Sequence, residues 1–159
     1  GVIIQKMSIN PPHAVATDLI NDLLHRLLPA GFFVSMGNAV TIRERDSEPE
    51  PDAMVMRGRI RDYTGRRRTP ADAALVIEVA DTSYRTDRAA KWALYAAARV
   101  PVYWLVDVNR KHLEVHTEPV GTGLEASYTQ SKTLGPDDEV PLLLDGREVA
   151  RFAVRDILP

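Results

Sequence analysis

Three residues in this chain break the pattern of their own surroundings, and their types suit one kind of chemistry. Glu78 stands inside the run LVIEVA (75–80), where every neighbour is apolar. A lone buried carboxylate is costly unless pairing or coordination offsets the loss of water. Lys91 is the sole charged residue of AAKWALYAAA (89–98), a stretch apolar nearly all round and therefore expected to be a buried helix. Asp52 follows Pro51 and opens a short strand, where strand ends deliver side chains to a site. Two carboxylates on neighbouring strands are hard oxygen donors that select magnesium or manganese rather than zinc. An ion so held polarises a phosphoryl oxygen and lowers the pKa of bound water. A lysine beside it would orient that water or offset charge developing at phosphorus. The chemistry implied is phosphodiester cleavage. Each residue also has an ordinary reading: Glu78 in a structural salt bridge, Lys91 in an i,i+4 pair with Asp87, Asp52 as a turn aspartate.

A second feature is electrostatic. The net charge is −2, yet Arg57 to Arg68 (RGRIRDYTGRRR) holds six arginines against Asp62 alone, so the remainder is distinctly acidic. Arg57, Arg59, Arg61, Arg66, Arg67 and Arg68 are candidates for contacting nucleic-acid phosphates; the plainer alternative is a solvated loop. With 159 residues, 45% hydrophobic and 26% charged, the chain has the composition of one soluble domain, 1–159. Absence of cysteine excludes disulfides and thiolate chemistry. No apolar run is long enough for a membrane span, and no secretory signal opens the chain, so a cytoplasmic location is expected.

The elements that must position these residues follow from periodicity. A helix should begin near Pro12 or His13, after Asn10, with Val15, Leu19, Ile20, Leu23, Leu24 and Leu27 on one face and Pro29 and Gly31 ending it. Phe32 to Arg43 reads as strand with a turn at Gly37-Asn38, Asp46 to Pro51 as extended loop, and Asp52 to Met56 as a short strand. Ala73 to Ala80 is continuously apolar and β-branched apart from Glu78, which predicts a strand covered on both faces. A helix from about Arg85 to Ala98, capped by Thr82 or Ser83, leads to a second continuous strand, Val102 to Val106. Strand, helix, strand predicts a crossover unit with parallel strands. Beyond Asp107 the pattern alternates, at Leu113 and Val115 and again over Ser127 to Lys132, and predicts antiparallel additions. The fold class is α/β, helices against a mixed sheet.

Pro51-Asp52, IEV around Glu78, DRAAK (87–91), then LYA and VPVYWLVD together resemble the Uma-two family (domain of unknown function 820) of restriction-endonuclease-like proteins, within the PD-(D/E)XK nuclease superfamily. The resemblance runs from Gly1-Val-Ile-Ile through His13 to Asp156-Ile157-Leu158. It implies a restriction-endonuclease-like mixed sheet flanked by helices and a metal-dependent DNA endonuclease. Asp52 and Glu78 would bind magnesium or manganese, the backbone carbonyl of Val79 would add a contact, and Lys91 would position the attacking water. His13 matches a recurrent histidine that could reach a substrate phosphate; a histidine near a helix cap is otherwise structural. Two strands of DNA imply two active sites, hence a homodimer. The chain departs from the superfamily in having Ala80 two residues after Glu78, where a lysine is usual; Lys91 matches the family's alternative placement on the following helix. Asp81 stands where the family often has serine, and Arg99 where it often has glycine.

His112, Glu114 and His116 alternate along a strand and share a face. With Leu113 and Val115 supplying the buried side, the trio reads as a wet edge rather than a zinc site. Gly121-Thr-Gly123 reads as a hairpin turn, and Trp92, Tyr95, Tyr103 and Trp104 as core. Two rival functions stand beside the nuclease: a catalytically silent nucleic-acid-binding or interaction protein on the same fold, and an assembly subunit in which Glu78, Lys91 and Asp87 form a buried ion network.

Overall fold

The computed structural model describes residues 10–80 and 85–159. Gly1 to Ile4, Asp81 and the two candidate caps Thr82 and Ser83 lie outside the described residues, as does the side chain of Asp87. Helix α1 spans Pro11–Leu27, with its prolines in the first turn, where a missing N–H costs nothing. Strands β1 (Phe32–Met36), β2 (Ala53–Arg57) and β3 (Ala73–Ala80) follow, then helix α2 (Arg85–Ala97) and strands β4 (Val102–Asp107), β5 (His112–Val120) and β6 (Ser127–Leu134). These strands form one sheet in the order β1-β2-β3-β4-β5-β6. The β3–β4 pair is parallel and the other pairs are antiparallel. The crossover and the antiparallel additions are those the sequence predicts.

Two parts of the chain differ from the sequence reading. The strand begun at Phe32 stops at Met36; Val40 and Ile42 are buried from irregular backbone instead, in a segment that closes on itself at the Ile42–Ser47 bridge. A hairpin of β7 (Glu139–Leu144) and β8 (Arg147–Ala153) forms a second, two-stranded sheet that the reading does not include. Its turn, Asp145-Gly146, has both φ angles positive (51° and 78°), as a two-residue hairpin whose twist matches its strands requires. Finally, Arg99 adopts a left-handed φ of 61°. It ends α2 with Val100 N–H donating to the Tyr95 carbonyl and Arg99 N–H to that of Ala96, a Schellman cap in which glycine avoids a steric penalty. That geometry explains why glycine suits this position.

Alternation distributes the core between the two faces of the large sheet. Ala53, Val55, Leu75, Ile77, Val79, Trp104, Val106 and Leu113 face α1 and the β7–β8 hairpin. Met54, Met56, Val76, Tyr103 and Leu105 face α2 and the segment around Val40. Glu78 shares the parity of Val76 and so points toward α2, at the C-terminal end of β3. Among the described residues no helix is long and apolar enough to cross a membrane.

Candidate active site

Asp52 and Glu78 come level because β2 and β3 are antiparallel. Ala53 pairs with Ile77, and one step further Asp52 meets the end of β3. Its Oδ2 accepts a 2.7 Å hydrogen bond from the Val79 N–H. His13, in the first turn of α1, places Nε2 3.3 Å from Asp52 Oδ1. The first turn of α1 therefore meets the same carboxylate at the end of β2. In extended backbone the N–H and C=O of one residue point to the same side, so the Val79 carbonyl is directed to the Asp52 side of β3 as well.

Glu78 is 4% exposed, and protein groups meet both of its oxygens. Tyr95 O–H donates to Oε1 at 2.7 Å, and Lys91 Nζ lies 3.2 Å from Oε2. Burial pushes the Glu78 carboxyl up to about 7; Lys91 and the Tyr95 hydroxyl pull against that shift, and the Asp52 charge adds to it. Desolvation thus outweighs a direct ion pair, as expected where a charge leaves water. The Tyr95 hydroxyl is in turn driven well above the ordinary phenol range by burial and by Glu78. Lys91, about a third exposed, spans the boundary between this carboxylate and solvent.

The structure therefore gathers His13, Asp52, Glu78, Val79 and Lys91 at one end of β2–β3. Tyr95 belongs with them and is read as plain core from sequence. The available signal was its place on the helix: four residues after Lys91, it must share that residue's face.

The arginine segment lies elsewhere. It connects β2 to β3 at their other ends, roughly 17 Å along the strands from Asp52, and most of its charge is already met. Arg57 forks onto Asp145 with contacts of 2.6–3.1 Å and donates to the Ala71 carbonyl. Arg59 pairs with Asp62, Arg66 with Asp72 and Arg67 with Glu48. Arg61 makes no ion pair among the described residues. Arg68 doubles back, donating 2.6 Å to Ser35 Oγ on the strand position paired with Met54, two residues along β2 from Asp52.

His112, Glu114 and His116 share a face as expected, but it is not a wet one. Helix α2 lies across it, leaving His116 9% exposed. Glu114 is met by Arg88, by His116 Nε2 at 3.2 Å and by His112 Nε2 at 3.5 Å. Strand alternation reports a shared face but not what a distant helix places over it.

Among the described residues no three His, Cys, Asp or Glu side chains converge as a metal-holding cluster. Two hard carboxylates and a backbone carbonyl nonetheless fit magnesium, which typically takes one or two protein carboxylates and completes its shell with water and phosphate.

Compared with known proteins, residues 1–152 match the model of the Uma2 family, described as putative restriction endonuclease. Among solved structures, the chain is similar to a putative nuclease belonging to DUF820 from Anabaena variabilis ATCC 29413. The TM-score is 0.70 at 14% identity, over 97% of this chain and 84% of that one. At that identity the likeness speaks to the fold. None of the curated proteins compared with the chain matches it.

Proposed function

The chain belongs to the Uma2 family, and from that membership together with the site we propose that it is a metal-dependent endonuclease hydrolysing phosphodiester bonds of DNA. The observation that carries the reading is the Glu78 carboxylate, removed from water and set level with Asp52 on the neighbouring strand. A buried carboxylate left short of compensation is what a cation site requires before the cation arrives.

Asp52 and Glu78 would hold magnesium or manganese, with the Val79 carbonyl as a further oxygen donor. When bound, such an ion polarises a phosphoryl oxygen and lowers the pKa of coordinated water. Lys91, anchored on Glu78, orients the attacking water toward the phosphorus and counters charge that develops on the phosphoryl oxygens. Tyr95 fixes the Glu78 rotamer by its hydrogen bond. His13 steadies Asp52 and, at the rim of the site, can donate to a substrate phosphate. Arg68, and at greater distance Arg61, would attract the phosphate backbone without reading sequence. The exposed ion pairs of the other arginines are weak enough to exchange for phosphates. Cutting both strands of a duplex calls for two such sites, hence a homodimer.

A second reading has its own observation. Both Glu78 oxygens already meet protein groups, so a silent nucleic-acid-binding scaffold could retain this constellation with no metal. Titrating magnesium and manganese into wild type and Asp52→Ala by calorimetry separates the two. We expect binding in wild type that disappears in the variant. Equal binding in both proteins, or none in either, would leave the silent scaffold as the better account.

A further inference from the structure

A cavity of about 290 Å³, near the lower end for small-molecule sites, opens on the α2 side of the sheet. It is lined by Arg88, Ala89 and Trp92 from the helix and by Tyr103, Leu105, Glu114 and His116 from β4 and β5. Register ties it to the candidate active site. Glu78 pairs across to Leu105, and Leu105 to Glu114, so Glu78 and Glu114 stand two strands apart on one face, on the order of 10 Å. Helix α2 serves both places, sending Lys91 and Tyr95 to Glu78 and Arg88 and Trp92 to the cavity.

We propose that this cavity receives one unstacked nucleobase of the strand whose phosphate lies at Asp52 and Glu78. The inference rests on the nuclease reading for that phosphate. Three flat groups form the walls. His116 stacks on Tyr103 at 5.7 Å between ring centroids, and Trp92 meets His116 edge-on at 6.3 Å. Tyr103 and His116 are themselves buried against each other, so half-buried Trp92 is the ring on which a base can stack. Glu114 and Arg88 add an acceptor and a row of donors beside those faces, the complement of a base edge that carries both kinds of group. Arg88 is about a third exposed, whereas Glu114 is mostly covered, so the guanidinium can swing outward to admit a base while Glu114 keeps its two histidines. The His116 ring is fixed by Ser131 Oγ at 2.7 Å from Nδ1 and by Glu114 at Nε2. Burial and the neighbouring Arg88 hold that imidazole down to about 4, so at neutral pH it offers an uncharged face. The separation from Glu78 is comparable with the reach of one nucleotide from its phosphate.

The test compares a short single-stranded oligodeoxynucleotide with the same strand built from abasic sugar-phosphate units. Binding is followed in EDTA by anisotropy and by tryptophan fluorescence; Trp104 is buried on the opposite face, so Trp92 supplies the change. The base-bearing strand should bind at least tenfold more tightly than the abasic one. Ala89→Leu, which fills the cavity mouth from an exposed helix position, should bring the two within about twofold while leaving the melting curve unchanged. Trp92→Ala should do the same if it folds. Equal affinity of wild type for both strands, no binding of either, or full discrimination surviving in Ala89→Leu would overturn the proposal. Metal binding with base-blind affinity would sink the cavity and spare the nuclease reading; base discrimination without metal binding would do the reverse.

Discussion

The two ends of β3 hold carboxylates whose proton affinities are shifted in opposite directions. At the entry to the strand, Asp72 accepts from Arg66 at two 2.8 Å contacts and from the Thr69 N–H and hydroxyl. The Arg66 hydrogen bonds, aided by Thr69, hold its carboxyl down to about 2. Near the exit, Glu78 has a lysine and a tyrosine and still rises to about 7. What differs is water. Arg66 is about half exposed and keeps the pair in touch with solvent, and the Asp72 shift reports a contact that favours the fold. Glu78 has left solvent, and its shift reports an unmet cost. Charge that favours the fold is ordinary; charge that costs stability and is kept points to work other than folding.

The largest effect that could break this contrast is catalytic. Asp52→Asn keeps an acceptor for the Val79 N–H while removing the charge, so it should fold normally and lose at least about a hundredfold in cleavage rate. Lys91→Ala should lose as much. Full activity in either variant would remove that residue from the mechanism.

Next in size is the pH dependence of stability in metal-free protein. Glu78 has a folded value near 7 against an ordinary 4.5, so between those values the folded state holds a proton that the unfolded state has released. Stability therefore falls as pH rises from 4.5 to 7, by on the order of 3 kcal/mol. Glu78→Gln removes the dependence and should be the more stable protein above pH 7, with the gap closing toward 4.5. Asp72 has the opposite sign: its folded value near 2 lies below the ordinary 3.8, so its contribution is present above 3.8 and is lost as pH falls through 2. With Arg66 half exposed, Asp72→Asn should cost about 1 kcal/mol or less at neutral pH. Denaturant midpoints measured in EDTA across pH check both. Curves of the same sign for the two variants would end the comparison.

The smallest effect tests whether the arginine end takes part at all. Arg61→Ala should weaken DNA binding uniformly across sequences and lower the slope of log affinity against log salt by about one. An unchanged slope would make Arg61 a solvated side chain and nothing more.

How much of this was legible in the sequence depends on how local each cause is. Glu78 and Lys91 stood out because each contradicts its own run of apolar neighbours, and β3 begins and ends where its apolar run does. The strand expected through to Arg43 stops at Met36 because Val40 and Ile42 alternate like strand residues while reaching the core from a loop. The β7–β8 hairpin lies outside the sequence reading, although Asp145-Gly146 is a turn signal. Tyr95 looked like core since its hydroxyl's partner lies on another element, and His116 looked wet since the helix covering it comes from far along the chain. The arginines were conspicuous, but the carboxylates that meet them (Glu48, Asp72, Asp145) are set by tertiary packing.

The parallel pairing of β3 with β4 also has a kinetic consequence. Parallel strands need a crossover, and here that crossover is α2, so Glu78, Lys91 and Tyr95 belong to one nearly contiguous unit. Asp52 and His13 come from progressively earlier in the chain, and His13 arrives only when α1 docks on the opposite face. Closing shorter loops costs less entropy, so folding should complete the lysine–carboxylate half of the site before the histidine–aspartate half. In refolding, the fluorescence of Trp92 and Trp104 should recover ahead of metal affinity; simultaneous recovery would mean that the two halves form as one.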